Sequence, residues 1–454
     1  MKNLLLLPFL LLLASYSYSQ NIRGKVFDTK TNEPLEGVHV YVKINKEGTF
    51  TDQKGRYYLK LKPGIDKNDL IHFSHVGFVL KSFTYNELKQ NNFSVSLALG
   101  KINLDEINVV TSYKLKPLIG YNKLASMETG IHSFGSLIKN SKIYVIGGDA
   151  TIEVDAFRKV ISDDPEQSMY EVIRKSRALA MWEGQYYNDD LYVYDIKLDK
   201  WEKRDLKFRK RAHHNINISN EDNKAYILGG KRYSKNGRFI YLDDKIEIFD
   251  LKNNTIEIDK TNPHRAVDFE SFMYNKNIIV MGGSIKEKKN GKKIYTNKVH
   301  IFDTESGLWY DLAKMPVAKE TKGVLIDDKI YLFGGFNEKP LSAIESYDLE
   351  TGKWNKEGEL FNEISRPAIT HKDNTIYLYD DGKIYTFDIK SKVLKEYLIS
   401  LNFTSANLYL VNNKLYLLGG FRKDEFSVIP SSDLVSIDLN EFKFTRVRKS
   451  KVLN

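Results

Sequence analysis

The chain has 454 residues, of which 42% are hydrophobic and 28% charged, and it contains no cysteine. This balance excludes long disorder, collagen-like repeats and coiled coils, and the lack of cysteine excludes disulfides, thiolate metal sites and cysteine nucleophiles. The 28 Tyr and 24 Phe residues favour β-sheet over helix bundles. The formal net charge of +10 indicates a mildly basic surface and does not by itself identify an anionic partner.

Residues 1–19 predict a secretory signal peptide. Lys2 gives a basic start, residues 4–14 are apolar apart from one proline, and Ser17 and Ser19 supply the small residues of a cleavage site. This run is shorter than the about 20 apolar residues that cross a bilayer, and no later stretch is long and apolar enough. We therefore expect an exported protein without a membrane span, in the periplasm, at the outer membrane or secreted.

Residues 20–100 alternate short β-rich runs with turn signals, which predicts a small β-sandwich. Val38, Val40, Val42 and Ile44 recur at a period of two, as one buried face of a sheet requires. Strands are also predicted around residues 22–27, 57–61, 70–74 and 93–99.

Several motifs in this segment resemble those of the carboxypeptidase-regulatory-like domain. They are GKVFD at 24–28, PLEGV at 34–38, GTFTD at 48–52, GRY at 55–57 and GF at 77–78. The resemblance implies a transthyretin-like or immunoglobulin-like sandwich and a Bacteroidetes-type envelope protein, with outer-membrane proteins among its partners. It implies no catalysis.

Residues 125–454 contain a six-fold repeat. A run of β-formers ending in Gly-Gly recurs at 143–148, 225–230, 279–283, 330–335 and 415–420, with a degraded copy at 376–381. Each copy is followed by an Asp with a bulky residue six positions later, as in Asp195 and Trp201. Such units cannot bury a core alone, and a closed ring leaves no free sheet edge. The pattern resembles kelch repeats, which implies a six-bladed β-propeller with four-stranded blades and an all-β fold overall.

Two ways of closing the ring are compatible with the sequence. The last copy is complete if residues 442–447 form its fourth strand. Residues 121–127, where a linker over 101–124 ends, also resemble the end of a fourth strand and could close the ring instead.

The loops beside the Gly-Gly pairs form one face of the ring and carry an uneven set of basic residues. Arg side chains recognise carboxylate or phosphate in a partly desolvated mouth, so one interpretation is an anion-binding funnel; the other is loop packing and solvation. The predicted ligand-binding residues are His132, Arg211, His213, His214, Arg265, Lys319 and Arg366.

The connection between the second and third strands of the first repeat is long, running over residues 149–190. Asp164, Pro165 and Gln167 form a helix-start signal, so we expect a short helix lying over the ligand face. Trp182, Tyr186 and Tyr187 follow this helix, where they either stack on a sugar ring or anchor the loop.

The resemblance implies two alternative functions. Kelch propellers are mostly platforms that bind a protein or a glycan. The bacterial sialic-acid epimerases, which are also exported six-bladed kelch proteins, imply isomerisation of an acidic sugar, with Glu270, Glu320 and His214 as candidate acids and bases. The lack of cysteine excludes galactose-oxidase-type copper chemistry. We expect no cofactor, no metal and no nucleic-acid partner.

Overall fold

The computed structural model describes residues 21–42, 47–60, 69–75, 77–99, 115–180, 186–219, 221–234, 236, 239–288 and 290–453. The chain divides into two compact units, Met1–Thr111 and Ser112–Asn454. The predicted signal peptide, residues 101–114 of the predicted linker and Trp182 lie outside the described residues.

The first unit is a sandwich of two sheets. One sheet contains strands Arg56–Lys60, Asn21–Asp28 and Ser94–Leu97, in that order, and the other contains Glu47–Phe50, His39–Val42, Ile71–Ser74 and Lys81–Phe83. Val26, Val40 and Phe73 are buried in the shared core, which confirms the predicted sandwich. A helix that the sequence analysis missed, Tyr85–Gln90, begins with a capping box in which the Thr84 side chain accepts from the backbone of Glu87.

The second unit is a ring of six antiparallel sheets, numbered here as blades 1 to 6, with strands a to d following one another from the central channel outwards. This arrangement confirms the predicted six-bladed propeller. The blade strands, in the order a to d, are Gly135–Lys139, Lys142–Ile146, Asp190–Asp195 and Lys200–Lys207; Asn215–Ile218, Lys224–Leu228, Ile246–Asp250 and Thr255–Asp259; Glu270–Tyr274, Asn277–Met281, Val299–Asp303 and Trp309–Asp311; Gly323–Ile326, Lys329–Phe333, Lys339–Asp348 and Lys353–Ile364; Ala368–Lys372, Thr375–Asp380, Lys383–Asp388 and Val393–Leu398; and Asn407–Val411, Lys414–Leu418, Leu434–Asp438 and Asn122–Lys123.

Smaller elements lie outside the blades. Hairpins occupy the b-to-c connections of blades 2 and 3, and a three-stranded sheet joins the connection of blade 1 to that of blade 6. The hairpin of blade 2 pairs strands Lys231–Tyr233 and Ile240–Leu242, and that of blade 3 pairs strands Ser284–Glu287 and Lys293–Tyr295. The three-stranded sheet contains Glu153–Val154, Ser427–Pro430 and Phe421–Lys423. The remaining elements are strand Phe336–Asn337 and helices Ala156–Asp163, Met169–Ala180 and Glu441–Phe444.

An N-terminal strand closes the ring. Asn122 and Lys123 pair with Ser436 and Val435 and form strand d of blade 6. The Glu441 carboxylate receives hydrogen bonds from the Gly120 backbone and the Lys116 ammonium, which holds the incoming segment. Residues after the last repeat do not complete blade 6, since Glu441–Phe444 is helical and Lys449–Val452 adds a fifth strand to blade 5.

The Gly-Gly pairs join neighbouring blades. Both glycines of each pair have positive φ, a conformation that L side chains rarely adopt. In four cases the amide of the second glycine donates to the backbone carbonyl that lies four residues before strand a of the next blade: Gly148 to Arg211, Gly230 to Ala266, Gly283 to Lys319 and Gly335 to Ile364, at 2.7–2.9 Å. Apolar clusters fill the space between blades, as where Ile146 and Leu191 of blade 1 meet Ile227 and Phe249 of blade 2.

The closing strand can be tested with an introduced cysteine pair, because the chain has no cysteine of its own. Asn122→Cys with Ser436→Cys should form a disulfide under oxidising conditions and stabilise the protein by about 2–4 kcal/mol, since the two residues are directly opposed. Mass spectrometry and thermal unfolding would measure both effects. The control pairs Asn122→Cys with Ser346→Cys, the equivalent position in blade 4, and should stay reduced. A reduced Asn122–Ser436 pair would contradict the strand assignment.

Candidate ligand-binding face

The strand register decides which residues reach the mouth of the channel. In blade 1, the antiparallel pairing of strands a and b continues to His132 and Asp149, which places Ser133 opposite Gly148. In blade 2, the same register places His213 opposite Gly230, and His214 takes the buried position that Phe134 has in blade 1. His132 and His214 each stand fifteen residues before the first glycine of their pair, but they are not structurally equivalent, because the hairpin between strands a and b is two residues longer in blade 2.

Arg211 and Lys319 are buried rather than presented to a ligand. Each is 1% exposed, and each contributes the backbone carbonyl that receives the glycine amide of the preceding blade. The Arg211 guanidinium donates to Glu247 at 2.6 Å, and the Lys319 ammonium donates to Glu345 at 2.5 Å. Both cations therefore form ion pairs inside their blades. For these two residues the observation fits the loop-packing interpretation and not the anion-binding one.

The same two cations also bind the carbonyl of the first glycine in their own blade. Arg211 lies 3.3 Å from the oxygen of Gly229, and Lys319 lies 2.8 Å from that of Gly334. Burial raises the pKa of Glu247, and the Arg211 guanidinium opposes this shift. Because a buried carbonyl or carboxylate left without a partner costs free energy, these contacts explain why charged residues occupy an interior position.

In blade 3, a histidine contacts the carbonyl of the first glycine in place of an arginine or lysine, and a second histidine lies beside it. The sequence analysis did not select either histidine. Ala266 takes the place of Arg211, and the His264 ring lies 2.8 Å from the Gly282 oxygen. Its other nitrogen lies 2.9 Å from His300. Burial lowers the pKa of His264 to about 4, so the ring is neutral at pH 7.

A charged network occupies the channel mouth. Asp268 lies 2.7 Å from His213 and 2.5 Å from Arg366, which also donates to Glu320 at 3.0 Å. Glu320 further accepts hydrogen bonds from Ser284 and Lys293. Burial would raise the pKa of Asp268, but Arg366 and His213 hold it well below its usual value. The predicted residues His213, Arg366 and Glu320 thus meet here, and Asp268 is the carboxylate that links two of them.

The other predicted residues are scattered. Burial lowers the pKa of His132 to about 4, and its ring packs edge-on against His213. Glu270 lies in the channel, 3.2 Å from Lys322, whereas His214 is buried between blades with its Nε2 3.1 Å from the amide of Gly135. Arg265 is exposed and has no hydrogen bond or ion pair within the described part of the chain.

The long connection of blade 1 folds as two helices. Asp155 accepts a hydrogen bond from the backbone of Arg158 and begins helix Ala156–Asp163, so Asp164 ends a helix instead of starting one. The Gln167 amide binds the carbonyls of Val160 and Asp164, which closes the turn before helix Met169–Ala180. The predicted helix start was therefore wrong, because these polar side chains stabilise the turn between two helices.

A cavity of about 900 Å³ opens on this face between blades 1, 2 and 6. Its walls are formed by the first residues of the long connection of blade 1, the b-to-c hairpin of blade 2 and the b-to-c connection of blade 6. Its lining residues are Asp149, Thr151, Ile152, Glu153, Val154, Asp155, Tyr187, Lys231, Tyr233, Lys423, Asp424, Glu425, Phe426, Ser427 and Val428. A second space of about 220 Å³ lies in the channel below the charged network. No group of residues suited to holding a metal ion occurs among those the structure describes.

Two family models match the chain. The CarboxypepD_reg-like domain matches residues 22–109, and the KLHDC2/KLHL20/DRC7 Kelch-repeats domain matches residues 171–387. The chain combines a CarboxypepD_reg-like domain with kelch repeats. The first match covers the sandwich, and the second covers strands from blades 1 to 5 of the kelch propeller.

Similar proteins fall into both groups. Kelch-like protein 40 of Xenopus tropicalis is 23% identical over 258 residues, which are 54% of this chain and 41% of that protein. Kelch domain-containing protein 3 of Homo sapiens is 26% identical over 162 residues, covering 33% of this chain and 41% of that protein. TonB-dependent receptor P3 of Formosa agariphila is 26% identical over 222 residues, covering 41% of this chain and 22% of that protein.

The chain thus spans about two fifths of the kelch relatives' length and about a fifth of the receptor's. The solved structure of YjhT superposes with a TM-score of 0.51 at 15% identity, covering 73% of this chain and 99% of that one. This likeness supports the propeller fold. No helix among the described residues is long and apolar enough to cross a membrane.

The buried ion pair of Arg211 can be tested against an exposed arginine nearby. Arg211→Ala should lower the free energy of unfolding by about 3–5 kcal/mol, because it leaves the buried Glu247 carboxylate uncompensated. Arg265→Ala, which removes an exposed side chain, should change it by less than about 0.5 kcal/mol. Denaturant unfolding measures both. Equal effects of the two substitutions would contradict the structural role of Arg211.

The buried histidines predict lower stability in acid. Burial lowers the pKa of His264 to about 4 in the folded chain. The unfolded chain therefore binds a proton at this residue below about pH 6.5, whereas the folded chain binds it only near pH 4. Stability from this residue is therefore complete above pH 6.5 and falls as the pH drops towards 4. His264→Gln should reduce the loss between pH 7 and pH 5 by about 2 kcal/mol. An unchanged loss in denaturant unfolding at the two pH values would refute the assignment.

Proposed function

We propose that this protein is an exported, envelope-associated binding protein whose kelch propeller binds a protein or glycan on the face described above. The observation that carries the proposal is the cavity of about 900 Å³. Its volume lies within the range of roughly 300–1,000 Å³ typical of ligand sites, and its walls combine aromatic, apolar and charged side chains. Loops of three different blades converge on it, as in many sites that a rigid scaffold positions.

The charges at the channel mouth support binding over acidic-sugar isomerisation. Arg211 and Lys319 are committed to buried ion pairs, and Arg366 already contacts two carboxylates. A carboxylated sugar would therefore meet few uncommitted cations there. The isomerase alternative rests on one observation: His132 and His213, whose pKa values are lowered by burial, lie beside Arg366. The Arg366 side chain is 23% exposed and has further N–H groups without partners in the described structure.

The cellular location forms part of the proposal. The N-terminal sequence has the pattern of a secretory signal, and the chain is similar over 222 residues to a TonB-dependent receptor. Both features support an envelope setting, in which the partner is an exposed protein segment or a surface glycan.

Thermal unfolding against a panel of neutral oligosaccharides, acidic sugars and short peptides tests this function. A ligand at 100 times its Kd stabilises the protein by about 2.7 kcal/mol. Ile152→Lys, at the cavity wall, should abolish the shift. Leu198→Lys, at a solvent-exposed turn between strands c and d, should preserve it. A panel without any shift, or a shift that Ile152→Lys leaves intact, would refute the assignment of the ligand to the cavity.

A further inference from the structure

The cavity between blades 1, 2 and 6 is acidic although the whole chain is basic. Five carboxylates line it, against two lysines. The acidic residues are Asp149, Glu153, Asp155, Asp424 and Glu425, and the lysines are Lys231 and Lys423. Adding Arg158 at the rim still leaves an excess of two negative charges. Since the formal net charge of the chain is +10, this local reversal favours a cationic ligand.

The floor of the cavity supplies aromatic faces. The rings of Tyr187 and Tyr233 lie 4.6 Å apart, and Phe426 also lines the cavity. Cations bind over the faces of such rings, and more strongly where water is partly excluded. The carboxylates and the rings therefore favour the same kind of ligand.

The hydroxyl of Tyr187 is buried at the same place and is incompletely hydrogen-bonded. Tyr187 is 6% exposed, and its hydroxyl interacts with that of Tyr233 but forms no hydrogen bond of full geometry within the described structure. A buried polar group without a partner is costly, and such groups mark positions where a ligand or water completes the hydrogen bonding. This observation is independent of the acidic lining, and Tyr187 lines the same cavity.

One cation of the chain already shows the chemistry of this rim. The Arg158 guanidinium lies 3.6 Å from the Glu425 carboxylate and 5.7 Å from the centre of the Phe426 ring. A carboxylate and an aromatic face thus hold an arginine at the edge of the cavity, while the space beside Tyr187, Tyr233 and Glu153 is open.

We propose that the cavity receives the lysine or arginine side chain of a partner polypeptide, with the ammonium or guanidinium group over Tyr187 and Tyr233 and among the carboxylates of Glu153, Asp149 and Glu425. The inference rests on the proposed function, because it assigns the ligand class of the same cavity. It selects a basic protein segment over a glycan. The rest of the partner polypeptide, whether folded or extended, would contact the loops around the cavity.

Isothermal titration of the chain from Gln20 onwards with capped pentapeptides tests the inference. The peptides have the form Gly-Gly-X-Gly-Gly, with Arg, Lys, Gln or Glu at X. The Arg and Lys peptides should bind at least about tenfold more tightly than the Gln and Glu peptides, and the difference should shrink between 50 mM and 500 mM salt.

Matched variants locate the binding. Glu153→Gln with Glu425→Gln should weaken the Arg peptide by about three- to tenfold, from the loss of two ion pairs. Tyr187→Phe should weaken it while keeping the ring. Glu359→Gln with Glu363→Gln, two exposed carboxylates on strand d of blade 4, removes an equal charge elsewhere and should change affinity by less than about twofold.

The outcomes separate the two proposals. Binding of the Gln or Glu peptides, or of a neutral oligosaccharide, that is as tight as binding of the Arg peptide and that Ile152→Lys blocks would overturn the basic-ligand inference and leave the binding function standing. Equal loss of Arg-peptide affinity in the Glu359/Glu363 variant and in the Glu153/Glu425 variant would also overturn the inference, since the effect would then be one of net charge. Absence of binding by every peptide and sugar would overturn both proposals.

Discussion

The hydrogen bond from the second glycine of one blade to a backbone carbonyl of the next fixes the geometry of this propeller. It requires positive φ at the Gly-Gly pair and brings the start of each following blade against the end of strand b. The residue whose carbonyl accepts this bond has its side chain directed by the same backbone, as Arg211 and Lys319 show. Residues immediately after it, such as His213 and Asp268, then reach the channel mouth. This backbone hydrogen bond therefore places the side chain of the accepting residue inside its blade and the residues that follow it at the channel mouth.

This separation decides what the face can bind. Of the four predicted lysine and arginine residues, Arg211 and Lys319 form buried ion pairs, Arg366 belongs to a network with Asp268 and Glu320, and Arg265 stays exposed. The space that stays open lies to one side, where the connections of blades 1 and 6 share a small sheet. There the carboxylates outnumber the lysines, and two tyrosines form the floor. The site chemistry therefore depends more on the connections than on the repeats.

The sequence predicted the sandwich, the six blades and the ends of strand b, because those signals are local and repeat at regular positions. It could not decide the ring closure, which joins Asn122 to Ser436 across almost the whole unit. It misplaced His214 because the a–b hairpin of blade 2 is two residues longer, and it misplaced Lys319 because the pairing in blade 4 shifts by one residue, so that Glu320 and not Lys319 lies opposite Phe336. A signal for the buried pairs was present, since Glu247 and Glu345 both stand three residues before the repeat Asp. The helices of the long connection were misread because Asp164 and Gln167 also serve as turn residues.

The most direct measurement of the central claim, that the partner binds at the cavity between blades 1, 2 and 6, is site-specific photo-crosslinking in the intact source cells. A photoreactive phenylalanine analogue would replace Ile152 at the cavity wall or Leu198 at the distant turn. The account predicts a discrete crosslinked adduct from position 152 and none from position 198. Adducts of equal yield from both positions, or an adduct from position 198 alone, would contradict it.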